Sequence, residues 1–235
     1  MSYEKLPWDS EFFGLPIGRV ADGVAADALT DAVARADADG VRCLYHLVAS
    51  DDYRRLHAAL DQGFRPYDFR IEFERALDLG APPTTSIAIR EAHLADETVV
   101  ADLATRTITA TRFTRDAHFP ARAIPLLYAE WVRRGLTSGP ARRVLLAEPA
   151  AGFVVCGLGS PEATGSIELI GVEARSARRG IGHALVGQAH SVMIQAGCER
   201  TTVVTQGDNV AAQRLYQSLG YRTLSAAWWL HRWVR

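Results

Sequence analysis

The sequence predicts an α/β fold in which helices flank a central sheet, and three observations predict it. Continuous apolar runs of buried-strand type alternate with segments whose apolar residues recur at helical spacing. The 235-residue chain is 48% hydrophobic, ample for a packed core, while no apolar run approaches the roughly 20 residues that span a bilayer. Two stretches, one in each half, repeat the same order of strand, helix, glycine, aromatic and arginine.

In chain order, "ADALTDAVARADA" (26–38) puts Leu29, Val33 and Ala36 on one helical face, and "VRCLYHLVAS" (41–50) reads as a buried strand. A second helix and strand follow. At "LDLGAPPTTS" (77–86), Gly80, Pro82 and Pro83 interrupt the periodic segments and predict a linker. Beyond it come a strand over 86–91, a helix carrying Val99, Leu103 and Arg106, a loop-rich region over 107–120 and a helix around 121–136. Strands are predicted at 143–148, 151–158 and 164–172. A helix opens after the glycines at 180 and 182; Leu185, Ala189, Val192 and Ala196 recur along it and Gly197 closes it. The strand "RTTVVTQ", a helix from Asn209 and a terminal pair of strands complete the unit.

The repeated stretches are "LVASDDYRRLHAALDQGFR" (47–65) and "VVTQGDNVAAQRLYQSLGYR" (203–222). Twelve residues separate Gly63 from Arg75, and twelve separate Gly220 from Arg232. An internal duplication accounts for both. The copies differ where chemistry is concerned: the first has Ala59 where the second has Tyr216, and it lacks any arginine-glycine run. At most one half carries a site.

With 26 basic and 27 acidic residues, net charge −1, nothing pushes the whole chain toward nucleic acid or an anionic membrane. The polar N-terminus (Glu4, Lys5, Asp9, Glu11) is unlike a signal segment, so a cytosolic protein is expected. Cys43, Cys156 and Cys198 are odd in number and widely spaced, which predicts free buried thiols and no metal site.

One stretch calls for a ligand. In "VEARSARRGIGHALV" (172–186) a strand end, a turn and a helix start present unpaired backbone N–H groups and the positive end of a helix dipole. Gly180 and Gly182 let a diphosphate approach the backbone, and Arg175, Arg178 and Arg179 add charge. The spacing matches neither the dinucleotide fingerprint nor the nucleoside-triphosphate loop. That leaves the pyrophosphate of another cofactor, or an ordinary helix start with solvated arginines.

This stretch resembles the pyrophosphate loop of the GNAT acyltransferase superfamily, and "DNVAAQRLYQSLGYR" resembles the same superfamily's later signature. The resemblance implies the GNAT acyl-CoA N-acyltransferase fold, with a mixed central sheet, and acetyl-CoA as cofactor. It places the cofactor on the backbone of Arg178, Arg179, Gly180, Ile181, Gly182 and His183, and along the strand at Ile170, Gly171 and Val172; amides near Ile170 and Gly171 would polarise the thioester carbonyl. Ala177 stands where the family has Gln or Arg, so a neighbouring arginine must substitute. Asn209 is an N-cap by its chemistry and a pantetheine contact by the resemblance. Tyr216, seven residues on and on the same helical face, is either core or the acid that protonates the leaving thiolate. In "TGSIELIGV", Ser166, Glu168, Ile170 and Val172 share a strand face by period two. Glu168 is the candidate base, or else a strand-face carboxylate paired with an arginine.

More of the chain, "LPWDSEFFGLPIGRV", "TRFTRDAHFP", "YAEWVRRG" and "AAWWLHR", is similar to the dTDP-fucosamine N-acetyltransferase family. That resemblance implies a truncated GNAT-like N-terminal domain (1–82), a complete catalytic domain (83–235), and a nucleotide-linked amino sugar such as dTDP-4-amino-4,6-dideoxyhexose as acceptor. "TATRFTRDAHF" offers Arg112, Arg115 and His118 for a diphosphate, and Phe113 and Phe119 for a base or sugar; the alternative is a solvated loop. "WDSEFFG" is expected to pack the N-terminal domain. Basic residues clustered near a small-molecule cradle instead of spread over a face argue against a nucleic-acid partner, no membrane partner is expected, and a homodimer is compatible. The rival acceptors are an aminoglycoside-like antibiotic or a protein N-terminus, and a non-catalytic acyl-CoA sensor has no use for Tyr216 beside Asn209.

Overall fold

A computed structural model describes residues 2–77, 86–159 and 163–234 of the chain. The predicted linker lies almost wholly outside them, as does the boundary between residues 82 and 83. The first half forms β1 (Tyr3–Lys5), α1 (Pro7–Phe13), β2 (Ile17–Val20), α2 (Leu29–Ala38), β3 (Cys43–Ala49), α3 (Tyr53–Asp61) and β4 (Arg65–Ala76). Then come β5 (Ile89–Glu91), α4 (Glu97–Thr107), α5 (Arg112–Arg115), α6 (Ala123–Thr137), β6 (Arg142–Ala147) and β7 (Gly152–Gly157). The last elements are β8 (Thr164–Val172), α7 (Ile181–Gln195), β9 (Arg200–Gln206), α8 (Val210–Ser218) and β10 (Arg222–Trp233). No helix among the described residues is long and apolar enough to cross a membrane.

The fold is a mixed α/β arrangement with a central sheet flanked by helices. The strands form one sheet in the order β1, β2, β3, β10, β4, β9, β8, β7, β6, β5. Parallel pairing joins β2 to β3 and β8 to β9; the other neighbours run antiparallel. Strand residues alternate between two apolar layers, as a period of two requires. Tyr45, Val144, Leu146 and Phe153 face the layer of α1 and α4 to α6. Leu145, Val154 and Ile167 face α7 and α8, and Leu44 and Val48 face α2 and α3.

The pairing follows the repeat. Gly63 and Gly220 lie 157 positions apart. The same step turns the β3–β10 pair Ala49↔Ala227 into the β9–β4 pair Gln206↔Arg70, and the β4–β10 pair Arg65↔His231 into Arg222↔Glu74. Arg70↔Ala227 maps onto itself, so a pseudo-twofold axis crosses the sheet there. Each half therefore lends its last strand to the other. The helix caps repeat too: Asp52 accepts from the Arg55 N–H and Asn209 from the Ala212 N–H.

Several elements differ from their expected form. The terminal pair of strands is one strand, because "RTLSAAWWLHRW" has no Gly, Pro, Asn or Asp to turn on. Helix α4 buries Val100, Leu103 and Ala104 and leaves Val99 exposed. In α7, Met193 completes the buried face that Val192 and Ala196 were expected to form. The segment "WDSEFFG" packs across the halves, with the Phe13 ring 4.7 Å from Phe119 and the Arg134 guanidinium 4.4 Å over Trp8.

In β8, Leu169 pairs with Val155 but Ile167 with Cys156, so Glu168 is the extra residue of a β-bulge. The bulge corrects the period-two reading. Ile170 and Val172 turn toward the α7 layer with Ile167, while Leu169 faces the other way. Pairing of β8 with β9 covers Thr164–Ile167 and Arg200–Val203 and then stops. The two strands splay, leaving residues 168–172 and 204–206 facing a gap.

Burial sets an acid limit on the fold. It pushes His46, His190 and His231 down to about 4, against roughly 6.5 when solvated. All three are then neutral in the folded protein and take up protons on unfolding. Their contribution is complete above about pH 6.5 and is lost as pH falls toward 4. Scanning calorimetry from pH 7.5 to 4 should show a melting temperature that falls steeply below 6.5. A flat profile down to pH 4.5 would contradict it.

Candidate active site

Where β8 and β9 part, the sheet opens into a cavity of about 450 Å³. Its floor is Glu168, Leu169 and Ile170 on one side and Val204, Thr205 and Gln206 on the other. Asn209 and Tyr216 of α8 line it, so the seven-residue spacing does bring them to one site. The first half contributes Asp68 and Arg70 from β4, and the last strand contributes Trp229.

At the start of α7, the Ala184 N–H is bonded to the Gly180 carbonyl at 2.9 Å. The four amides 180–183 precede the first internal acceptor, as at any helix start. Gly180 caps the helix at φ 80° and Arg178 takes a left-handed φ of 61°, a conformation few side-chain-bearing residues adopt. Arg175, Arg178 and Arg179 have no carboxylate partner among the described residues. At Gly182 an added Cβ would meet Leu215 of α8 at 3.1 Å. An exposed row of amides with unpaired arginines suits a pyrophosphate. The open edges of β8 and β9 offer backbone groups to an extended amide chain. These residues fit acetyl-CoA.

Other positions have structural work as well. Gly171 lies so near α4 that a Cβ would strike Phe153 at 2.7 Å and Thr107 closer still. Its lack of a side chain is thus required by packing, whatever its amide does. His183 is exposed and shares a 2.8 Å hydrogen bond with Ser218. Asn209 is an N-cap, its Oδ1 accepting from the Ala212 N–H at 3.1 Å.

Tyr216 is buried between Phe73 and Tyr221, with ring centroids 6.1 and 5.6 Å away. Burial pushes its phenol well above the usual range, then the nearby Tyr221 adds to this. It stays protonated at neutral pH. The Arg142 Nε donates to Glu168 at 2.6 Å, the arginine-paired carboxylate that was the alternative reading.

The loop over 107–120 differs most from expectation. Phe113 lines the cavity but belongs to the core, against Phe13 and Phe119. Arg115 spends its fork on Asp68 at 2.8 Å and Asp208 at 2.5 Å, bracing β4 to the turn that precedes α8. His118 sits away from the cavity, bonded to Asp116 at 2.8 Å and stacked on Trp233 at 4.8 Å. Neither is free for a diphosphate. Arg112 alone of the three cations reaches the cavity.

Sequence reasoning missed Asp68, Arg70, Tyr128, Trp131 and Trp229. The signal for the first two was present: in "YDFRIEFER" charged residues alternate on a strand otherwise made for burial.

Residues 109–221 match the acetyltransferase (GNAT) family model. No curated protein matches the chain. Among solved structures, a GCN5-related N-acetyltransferase from Sphaerobacter thermophilus superposes with TM-score 0.68 at 15% identity, covering 99% of this chain and 76% of that one. A tandem GNAT protein from the clavulanic acid biosynthesis pathway gives 0.62 at 14%, covering 94% and 76%. A glucosamine N-acetyltransferase region of a fungal multi-domain GH3 β-N-acetylglucosaminidase gives 0.62 at 14%, covering 92% of this chain and 30% of that one. The segment that carries the amide cradle, the splayed strands and Tyr216 is thus a GNAT acetyltransferase unit, and its activity is acetyl transfer from acetyl-CoA.

Proposed function

We propose that the acetyl group passes to the amine of an amino sugar linked to a nucleotide diphosphate, the class that includes dTDP-4-amino-4,6-dideoxyhexoses. The observation that carries this reading is the single cavity that collects Tyr216, Asn209, Glu168 and Arg112, a cation among rings, from separate elements. The neighbour described as a glucosamine N-acetyltransferase region has the same fold, which is consistent with an amino-sugar acceptor.

Acetyl-CoA, when bound, supplies a thioester whose carbonyl carbon the amine attacks directly. The amides near Ile170 and Gly171 polarise the carbonyl oxygen. Glu168, although Arg142 holds it, is the base of this proposal and takes the proton from the attacking amine, and Tyr216 hands its own to the leaving sulfur. Asp68, which burial raises against the pull of Arg115, is the other carboxylate at the cavity.

One assay tests the reading: thiol release from acetyl-CoA with dTDP-linked 4-amino sugars, the free sugars, an aminoglycoside and a peptide N-terminus. The nucleotide-linked sugar should be turned over at least roughly 10-fold more efficiently than the free sugar, since the remote groups position the amine. Glu168→Gln should slow the best acceptor. Equal rates with aminoglycosides replace the acceptor class, and an unaffected Glu168→Gln moves the base elsewhere.

A further inference from the structure

The Arg112 guanidinium lies in a cage of rings, 4.2 Å over Tyr45, 4.2 Å over Trp229 and 4.5 Å over Phe113. What is left exposed of it lines the cavity. Rings attract a cation, but they accept none of its five N–H groups in the plane of the fork. The polar contact it makes among the described residues is a 3.4 Å approach of Nη1 to His231 Nε2.

That contact is aimed. Burial is the larger effect on Asp116, but hydrogen bonds from His231 Nδ1 at 2.7 Å, Trp233 Nε1 at 2.8 Å and His118 outweigh it and hold the carboxyl at about 2. His231, neutral by burial, donates its Nδ1–H in a hydrogen bond to this carboxylate, so the Nε2 lone pair faces Arg112. The pair orients the fork without neutralising it.

The other charges at the cavity are already matched. Asp68 pairs with Arg115, Glu168 with Arg142 and Arg70 with Glu72. Asp9 on α1 feels the field of Arg112 but is not within ion-pair distance. Arg112 is therefore a half-buried cation with open donors and no counter-ion, which is costly until an anion supplies both.

We propose that Arg112 is the anion receptor of the acceptor cavity, so that the amine acetylated here belongs to a molecule bearing a phosphate or carboxylate group. This rests on the acetyl-transfer reading of the cavity and goes beyond it by assigning the acceptor's charge to one residue. His231 and Asp116 are positioning residues that act through Arg112.

Calorimetric titration tests it with the wild type saturated in coenzyme A, which fills the amide cradle. The probes are inorganic phosphate, dTDP and glutarate. At least one should bind, and Arg112→Met, which keeps apolar volume in the cage, should weaken it by about 10-fold or more, as the loss of a charge-assisted hydrogen bond implies. Arg112→Lys, charged but without the fork, should fall between. Phosphate and dTDP against glutarate separate phosphate from carboxylate recognition. Coenzyme A affinity measured in the same variants should be unchanged; if the wild type fails to bind coenzyme A, the acetyl-transfer reading fails, independently of Arg112. Binding of coenzyme A with no anion bound, or anion affinity equal in wild type and in both variants, overturns the proposal. Should Arg112→Met not fold, the lysine variant decides: affinity identical to wild type overturns it.

Discussion

Replacing Tyr216 with phenylalanine should lower turnover by roughly 10²-fold or more while leaving the Michaelis constant for acetyl-CoA nearly unchanged. The ring stays between Phe73 and Tyr221, so the packing of α8 on β4 is kept. Tyr216 lines the cavity, and its phenol is shifted by burial and by Tyr221, with no hydrogen bond among the causes. Folding should therefore be indifferent to the hydroxyl, and the melting temperature should hold or rise. The high phenol pKa adds a second expectation. A group that remains protonated through neutral pH gives no basic limb to the wild-type turnover profile below about pH 10, where an unperturbed tyrosine would begin to titrate. Steady-state kinetics of both proteins from pH 6 to 10 measure all three. Equal turnover would assign Tyr216 to the core and leave thiolate protonation to solvent.

The parts of the fold and site legible in the sequence were those fixed by short-range rules. The amide cradle is a glycine-capped helix start, a local motif, and the Asn209–Tyr216 face follows from helical spacing alone. The repeat was visible as matched spacing from glycine to arginine, yet its meaning, each half lending a strand to the other, depends on pairing between residues 157 positions apart. No local pattern encodes that. The same distance hid Asp68 and Trp229, which reach the cavity only because β4 and β10 cross at the pseudo-axis. The bulge at Glu168 was illegible for another reason: one inserted residue leaves apolar alternation looking intact on either side while exchanging the faces between them. Arg115 read as a free cation because its partners, Asp68 and Asp208, arrive from distant segments, and His118 because Trp233, on which it stacks, does; its other partner, Asp116, stood two residues away in the sequence.

Gly182→Glu should abolish measurable acetyl-CoA binding, or weaken it by at least roughly 10²-fold, since a like charge set against the pyrophosphate costs several kcal/mol and each 1.4 kcal/mol is tenfold. The substitution places a carboxylate among the four free amides at the start of α7, where an N-terminal dipole welcomes it and so occupies the cradle from within. It also adds a Cβ that must push Leu215 back by a few tenths of an ångström. Gly182→Ala carries the steric part alone. Leu215 is a side chain at the edge of the α7 layer, only partly buried, and has room to yield, so the alanine protein should lose little affinity. The difference between the two variants therefore isolates the charge. Calorimetric titration with acetyl-CoA, and with a pantetheine thioester that lacks the diphosphate, reads it directly: the glutamate should erase the advantage of the full cofactor over the fragment. An unchanged affinity in Gly182→Glu would place the pyrophosphate away from α7 and return Arg178 and Arg179 to the solvent.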